Sequence, residues 1–453
     1  MEFNSNFRRD FWNSIPIFAV IFGISRKRLY ICCWKSSYMK NRQIANFAKK
    51  ISKSGLGRIL VFTGARQTGK TTLVKKLFPE YSYLSIEDPL TRADFTGLTA
   101  ARWHALYPKA ILDEIQKEPV LIESIKSVYD QFSEPRYVLL GSSQLLLMEK
   151  VRESLAGRCV IIEMFPLTLP EIKADEPEKT QLSLFQKMLT TPSQKMEFFP
   201  SFNLDPEMAK KQTAYSHYCT FGGYPALTDA QLSDEQKYIW LGQYVRTYLE
   251  RDIRDLASFR ELEPFVILQR ALAVQTAQTI NASTLATQVG LSSKTVQRYI
   301  QYLNISYQTI SLQAWSRNQT KKLTRAPKIH YLDHGVLSGI LQKKGGMTGA
   351  EYESLIVAEI YKQIKTLNIQ PMLYHLRIQG GREIDLLIEL PEGYIAFEIK
   401  MSQRVSASDA SHFSGLDKIL DKPLLHSFVI SNDVKTQQFP NGSTAINAAM
   451  FLG

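Results

Sequence analysis

Two periods account for most of the apolar and polar positions between residues 58 and 166. Short apolar runs at Arg58–Thr63, Tyr81–Ile86, Ala110–Leu112 and Arg136–Leu140 read as buried strands. Helical spacing lies between them, as in Thr72–Phe78, which Pro79 stops. Strands alternating with helices predict a parallel sheet wrapped by helices. Residues 235–280 read as amphipathic helix, for example Tyr238–Leu249. Asn281–Ile300 reads as a helix, a turn at Gly290, a Ser292 cap and a second helix. Further on come a helix at Tyr352–Tyr361, a strand ending at Glu389, a turn at Pro391–Gly393 and a strand at Tyr394–Lys400. In that last strand Glu398 and Lys400 share one face, while Phe397 and Ile399 point to the core.

The first strand runs into Gly64-Ala65-Arg66-Gln67-Thr68-Gly69-Lys70-Thr71, followed by Thr72. This satisfies G-x-x-x-x-G-K-[ST], the phosphate-binding loop of nucleotide triphosphatases, with strand and helix on the correct sides. Backbone N–H groups at the helix start can wrap phosphates, and the helix dipole favours their charge. Lys70 is expected at the β- and γ-phosphates of ATP, and Thr71 at Mg²⁺. The strand at Ala110 ends in Asp113 and Glu114. Asp113 is expected to help hold Mg²⁺ and Glu114 to polarise the attacking water. The bland alternative for the pair is a solvated acidic turn. Ser142 and Ser143 end the next strand and either meet the γ-phosphate or cap a helix at Leu145–Met148. Arg158 comes after a glycine helix stop and either reaches phosphate, in its own subunit or a neighbour's, or suits a helix C-terminus.

Charge changes this picture little. The net charge is +12, but residues 1–50 hold ten Lys/Arg against Glu2 and Asp10, an excess of eight that leaves four for the rest. The basic pI is therefore weak support for a nucleic-acid-binding core. Cys32, Cys33, Cys159 and Cys219 form no C-x-x-C pair, and Cys219 with His217 gives two ligands, too few for zinc. The set fits a reducing cytosol and buried apolar roles. Ile15–Ile24 is too short to span a bilayer, so no membrane span is expected. Residues 1–38 read as an over-extended start before Met39, or a disordered tail, in preference to a targeting segment.

The phosphate loop, Leu112-Asp113-Glu114-Ile115-Gln116, Leu139-Leu140-Gly141-Ser142-Ser143 and Ser154-Leu155-Ala156-Gly157-Arg158 together resemble the AAA-related ATPases of prokaryotes that carry a C-terminal domain of unknown function. The likeness continues through Phe221–Pro225, Tyr248–Ile253 and Ile329–Gly335, and covers roughly residues 40 to 450. It implies ATP binding and hydrolysis. Residues 173–212 stand outside it, polar and poorly patterned, and read as an insertion or mobile connection.

Two downstream units carry candidate chemistry. The second helix of 281–300 presents Lys294, Gln297 and Arg298, groups able to meet phosphates or base edges of DNA, although such units also serve as packing modules. Asp385 with Glu398 and Lys400 can form an acidic metal pair with a water-activating lysine, suited to Mg²⁺-dependent phosphodiester cleavage. That arrangement resembles the restriction-endonuclease-like fold, in which Glu353 falls where an additional acid is often placed. The alternative is the same shape without cleavage, Lys400 being an ion-pair partner of Glu398 or Asp385.

The expected fold is α/β. Residues 1–38 are a non-native start or tail, 39–170 an AAA-like P-loop ATPase core and 171–234 a connection. Residues 235–335 are a helical, winged-helix-like region and 345–453 a nuclease-like domain. The expected protein is a cytoplasmic ATPase acting as a switch or motor, with ATP and Mg²⁺ as ligands and with DNA and a second copy of the chain as candidate partners.

Overall fold

The computed structural model describes residues 40–141, 144–174, 180–191, 202–249, 262–318, 325–377 and 382–453. All of them fall within Lys40–Gly453, which forms one compact unit. The expectations for residues 1–38 therefore lie outside the described residues, as do Ser142, Ser143 and most of Tyr248–Ile253.

The first sheet is fully parallel. Its strands are β1 (Ile59–Gly64), β2 (Ser82–Ser85), β3 (Lys109–Asp113), β4 (Arg136–Leu140) and β5 (Val160–Met164). Their order is β2-β3-β4-β1-β5. Every residue of β1 is buried, as its continuous apolar run requires of a central strand. Helices cover the sheet, and Trp103, Ile122, Val128 and Tyr137 belong to the core beneath them. Two helices bear on the phosphate loop: α1 (Ile44–Ser52), which precedes the sheet in the chain, and α2 (Lys70–Leu77), which begins where the loop ends.

The second sheet has nine strands: β6 (Gln278–Thr279), β7 (Thr309–Ala314), β8 (Lys328–Tyr331), β9 (Met372–Arg377), β10 (Glu383–Glu389), β11 (Tyr394–Lys400), β12 (Leu424–Ser431), β13 (Gln437–Gln438) and β14 (Thr444–Asn447). The order is β13-β14-β12-β11-β10-β9-β7-β8-β6. The parallel pairing of Gln313 with Tyr374 and Ala314 with His375 joins the two halves. On one side of that joint, α3 (Ala282–Val289) and α4 (Ser293–Ile305) flank Gly290, which takes the left-handed backbone. Asn281 and Ser292 cap the two helices through their side chains. On the other side α5 (Gly349–Thr366) lies against the sheet, its start closed by a Thr348/Glu351 capping box.

One expectation holds and one changes. In the strand Tyr394–Lys400, Phe397 and Ile399 enter the core with Ile395, and the opposite face, Tyr394, Ala396 and the 1% exposed Glu398, is buried as well up to the partly exposed Lys400. The connection drawn at 173–212 contains a core helix, Leu184–Thr190, in which Phe185, Gln186 and Met188 are buried. Its few apolar residues pack with Phe397, Phe451 and Met450, so it is part of the shared core and not a mobile link.

Candidate functional site

Gly64 leaves β1 at φ 142°, where a Cβ would sit 2.0 Å from the Met164 carbonyl oxygen, so only glycine fits. Gly69 turns into α2 at φ 87°. Between them Gln67 also has positive φ, and the Thr68 hydroxyl donates to the Ala65 carbonyl at 2.9 Å. The Lys70 ammonium folds back on the loop, donating to the carbonyls of Gly64 at 2.9 Å and Ala65 at 2.8 Å.

Because β4 separates β1 from β3, the ends of all three strands open on one edge of the sheet. This brings Thr71 to Asp113, hydroxyl donating to carboxylate at 2.9 Å. The Tyr83 hydroxyl donates to the same oxygen at 2.7 Å, and the backbone N–H of Glu114 to the other at 3.1 Å. Glu114 holds the left-handed backbone (φ 58°, ψ 37°), a conformation costly for a non-glycine residue and concentrated at working sites. Its carboxylate accepts from the Gln116 amide. Thr71 and Asp113 supply oxygen donors only, the set a hard divalent cation takes. They are the residues that could hold Mg²⁺, with the Lys70 loop holding phosphate.

The structure does not bring Arg158 to this edge. Arg158 precedes β5 by two residues, at the opposite end of the parallel strands, and its guanidinium binds both carboxylate oxygens of Asp130 at 2.8 and 3.3 Å. A role at its own subunit's phosphates does not fit this placement.

Sequence reasoning missed three residues here. Tyr83 and Gln116 hold the two acids, and Arg42, just before α1, braces the loop from behind. Arg42 donates to the Thr68 carbonyl at 2.8 Å and the Phe165 carbonyl at 2.6 Å, and pairs with Glu171 at 3.2 Å. Glu171 is fully buried and also accepts from the backbone N–H groups of Gln43 and Thr168. The same turn reaches α5, where Glu359 accepts from the Leu169 N–H at 2.7 Å and Lys362 donates to the Leu167 carbonyl at 2.9 Å.

The second candidate group also assembles. Glu353 on α5, Asp385 on β10, and Glu398 and Lys400 on β11 come to one neighbourhood, but with a cation among them. The Lys328 ammonium on β8 lies 2.7 Å from Glu353, 2.8 Å from Glu383 and 3.6 Å from Asp385. Lys400 pairs with Glu398 at 3.2 Å, and His412 Nδ1 is 2.9 Å from the other Glu398 oxygen. Asp385 also accepts from the Ile399 N–H at 2.8 Å. Burial and the Asp385 charge push Glu353 up to about 8 and Glu398 up to about 7. His330, fully buried, is driven well below the usual imidazole range by desolvation and by the Lys328 charge. Among the described residues no group of three or more His, Cys, Asp or Glu side chains is arranged to hold a metal ion. Cys159 and Cys219 are free thiols, raised by burial to about 11 and about 12.

On the α3–α4 unit, Lys294, Gln297, Arg298 and Gln301 are exposed, while Val296, Tyr299 and Leu303 face the core. Among the described residues no helix is long and apolar enough to cross a membrane.

Three family models match the chain: an AAA domain at residues 56–173, a domain of unknown function (DUF8612) at 212–345, and a second domain of unknown function (DUF4143) at 348–451. The chain is 27% identical over 395 residues to uncharacterized proteins of Mycobacterium tuberculosis and Mycobacterium bovis, covering 83% of this chain and 79% of each relative. An uncharacterized protein of Haemophilus influenzae is 20% identical over 371 residues, covering 75% of this chain and 83% of its own. Among solved structures, the Walker-type ATPase of Pyrococcus abyssi is similar at 14% identity with a TM-score of 0.41, covering 67% of this chain and 99% of that one. An AAA domain around the phosphate loop, followed by a C-terminal domain of unknown function, is thus what the chain shares with known families, and it supports an AAA-related ATPase.

Proposed function

We propose that the protein is a Mg²⁺-dependent ATPase that uses nucleotide turnover to change how its α3–α4 unit and C-terminal domain engage DNA. The observation that carries this reading is the 2.9 Å bond between the Thr71 hydroxyl and the Asp113 carboxylate, beside Lys70 at the mouth of β1. Residues 42 apart in sequence thus present the metal side of a nucleotide site where the phosphate side begins. On ATP binding, Lys70 exchanges its two carbonyl partners for the β- and γ-phosphates. Thr71 and Asp113 orient Mg²⁺, which when bound neutralises charge on the phosphates. Glu114 takes a proton from the attacking water. Replacing Lys70 by Ala should abolish ATP binding or turnover, and undiminished activity in that variant would sink the assignment.

The DNA part rests on the exposed face of α4, where Lys294, Gln297, Arg298 and Gln301 are groups able to meet phosphates or base edges. If hydrolysis needs an arginine from a neighbouring copy, Arg158 is the candidate, and size measurements with and without ATP would reveal that assembly. A second reading makes the C-terminal domain an ATP-regulated nuclease built on Glu353, Asp385, Glu398 and Lys400. Incubation with Mg²⁺ or Mn²⁺ and plasmid, single-stranded or branched DNA, with and without ATP, separates the two. Cleavage lost in Asp385→Ala and Lys400→Ala favours the nuclease, and binding without cleavage favours the switch.

A further inference from the structure

The carboxylates that the C-terminal domain could offer a divalent metal already face cations belonging to the chain. An ammonium has three N–H donors. Lys328 donates to Glu383 at 2.8 Å and lies within ion-pair distance of Glu353 at 2.7 Å and Asp385 at 3.6 Å. Its side chain is 4% exposed, so this is an interior ion cluster and not a surface pair. A buried ammonium is costly unless carboxylates surround it, and buried carboxylates are costly without a cation. Each side therefore explains the other. The remaining acid, Glu398, meets Lys400 and His412, and the second oxygen of Asp385 meets the Ile399 N–H.

Lys328 is fixed by its strand. It pairs with Leu312 of β7 on one side and Thr279 of β6 on the other. Since β7 pairs in turn with β9, the lysine belongs to the same sheet as Glu383 and Asp385. With its backbone paired on both sides and its side chain 4% exposed, the ammonium is confined to this buried position. A divalent metal needs oxygen ligands at about 2.0–2.6 Å, space the ammonium takes up.

We propose that Lys328 is the built-in cation of this cluster, standing where a divalent metal would bind, so that the C-terminal domain is a metal-independent binding module and not a nuclease. The same ammonium ties β8, the antiparallel partner of the β7 strand that follows α4, to the acids of β10 and α5.

Mn²⁺ titration of the nucleotide-free, full-length protein tests this, read by calorimetry or by the Mn²⁺ paramagnetic signal. Uptake removed by Asp385→Asn is scored to the cluster, and uptake removed by Asp113→Asn to the phosphate loop. Wild type should show no Asp385-dependent uptake at millimolar Mn²⁺. Lys328→Met, which keeps length and removes charge, should gain one Asp385-dependent equivalent, and Lys328→Arg should gain none. Asp385-dependent uptake or DNA cleavage by wild type overturns the proposal, and so does a folded Lys328→Met that takes up no Mn²⁺. Should Lys328→Met fail to fold, the wild-type and Lys328→Arg titrations still decide. ATP turnover in the same preparations reports on the phosphate loop separately, so either reading can fail alone.

Discussion

Arg42 donates to the backbone carbonyl of Thr68 at 2.8 Å, so a residue ahead of the first helix supports the phosphate loop from its inner side. The same guanidinium binds Phe165 and Glu171, and the 167–171 turn is in turn held by Glu359 and Lys362 of α5. Glu353 stands nine positions before Lys362 on that helix, about 13 Å along its axis. A single rigid helix thus touches the bracing of the nucleotide loop at one point and the Lys328 cluster at another.

Replacing Arg42 by Ala should therefore affect both stability and nucleotide binding. Breaking a buried pair costs about 3 kcal/mol, because the Glu171 charge stays behind. Urea unfolding should show a loss of that size, with ATP affinity falling as the Thr68 carbonyl loses its partner. An Arg42→Ala protein of unchanged stability would contradict the bracing role.

The Tyr83 hydroxyl donates to the carboxylate that would hold Mg²⁺, and its ring, which a change to Phe keeps, lies under the Lys75 ammonium. Outer partners of metal ligands typically contribute about tenfold or more in metal affinity. Tyr83→Phe should raise the Mg²⁺ concentration for half-maximal ATPase activity by about tenfold, while nucleotide binding without Mg²⁺ stays unchanged. An equal loss in both measurements would indicate general damage.

On α4, the double change of Lys294 and Arg298 to Ala should weaken DNA binding uniformly across sequences. Two lost phosphate contacts predict a salt-dependence slope shallower by about 1.8. Filter binding or anisotropy over a salt series measures this, and an unchanged slope would remove α4 from the interface.

The Glu398 carboxyl, raised to about 7 chiefly by burial and secondly by Asp385, makes stability depend on pH. Between the ordinary carboxylate range and about 7 the unfolded chain has released this proton and the folded chain has kept it. The contribution is fully present at low pH and is lost as pH rises through about 7. Unfolding free energy should thus fall between about pH 4.5 and 7, by on the order of 1–3 kcal/mol, and Glu398→Gln should flatten that part of the curve.

Some residues of the family resemblance turn out to act on one another. The Asp333 carboxylate accepts from the backbone N–H groups of Gly223 and Val336 at 2.8 and 3.1 Å. A Cβ on Gly222 would sit 2.2 Å from Asp333, and one on Gly335 2.0 Å from the Phe221 carbonyl oxygen. Two segments more than a hundred residues apart form one close-packed joint, which spacing within either could not reveal.

The amino-acid sequence alone determined the strand, loop and helix around Lys70, the acids closing β3, the Ser292 cap of α4, and the bounds of β11. These obey local rules, since apolar period, glycine and capping residues act over a few positions. Tertiary structure alone decided which charges meet. Lys328 lies 57 positions from Asp385, and Arg42 lies 26 from Thr68. Strand order and a shared core, not spacing, carry them together, because a buried charge is satisfied by whatever the fold places within about 4 Å of it. For the same reason the acids around the acid-x-lysine strand meet a cation, Lys328, that spacing alone could not name.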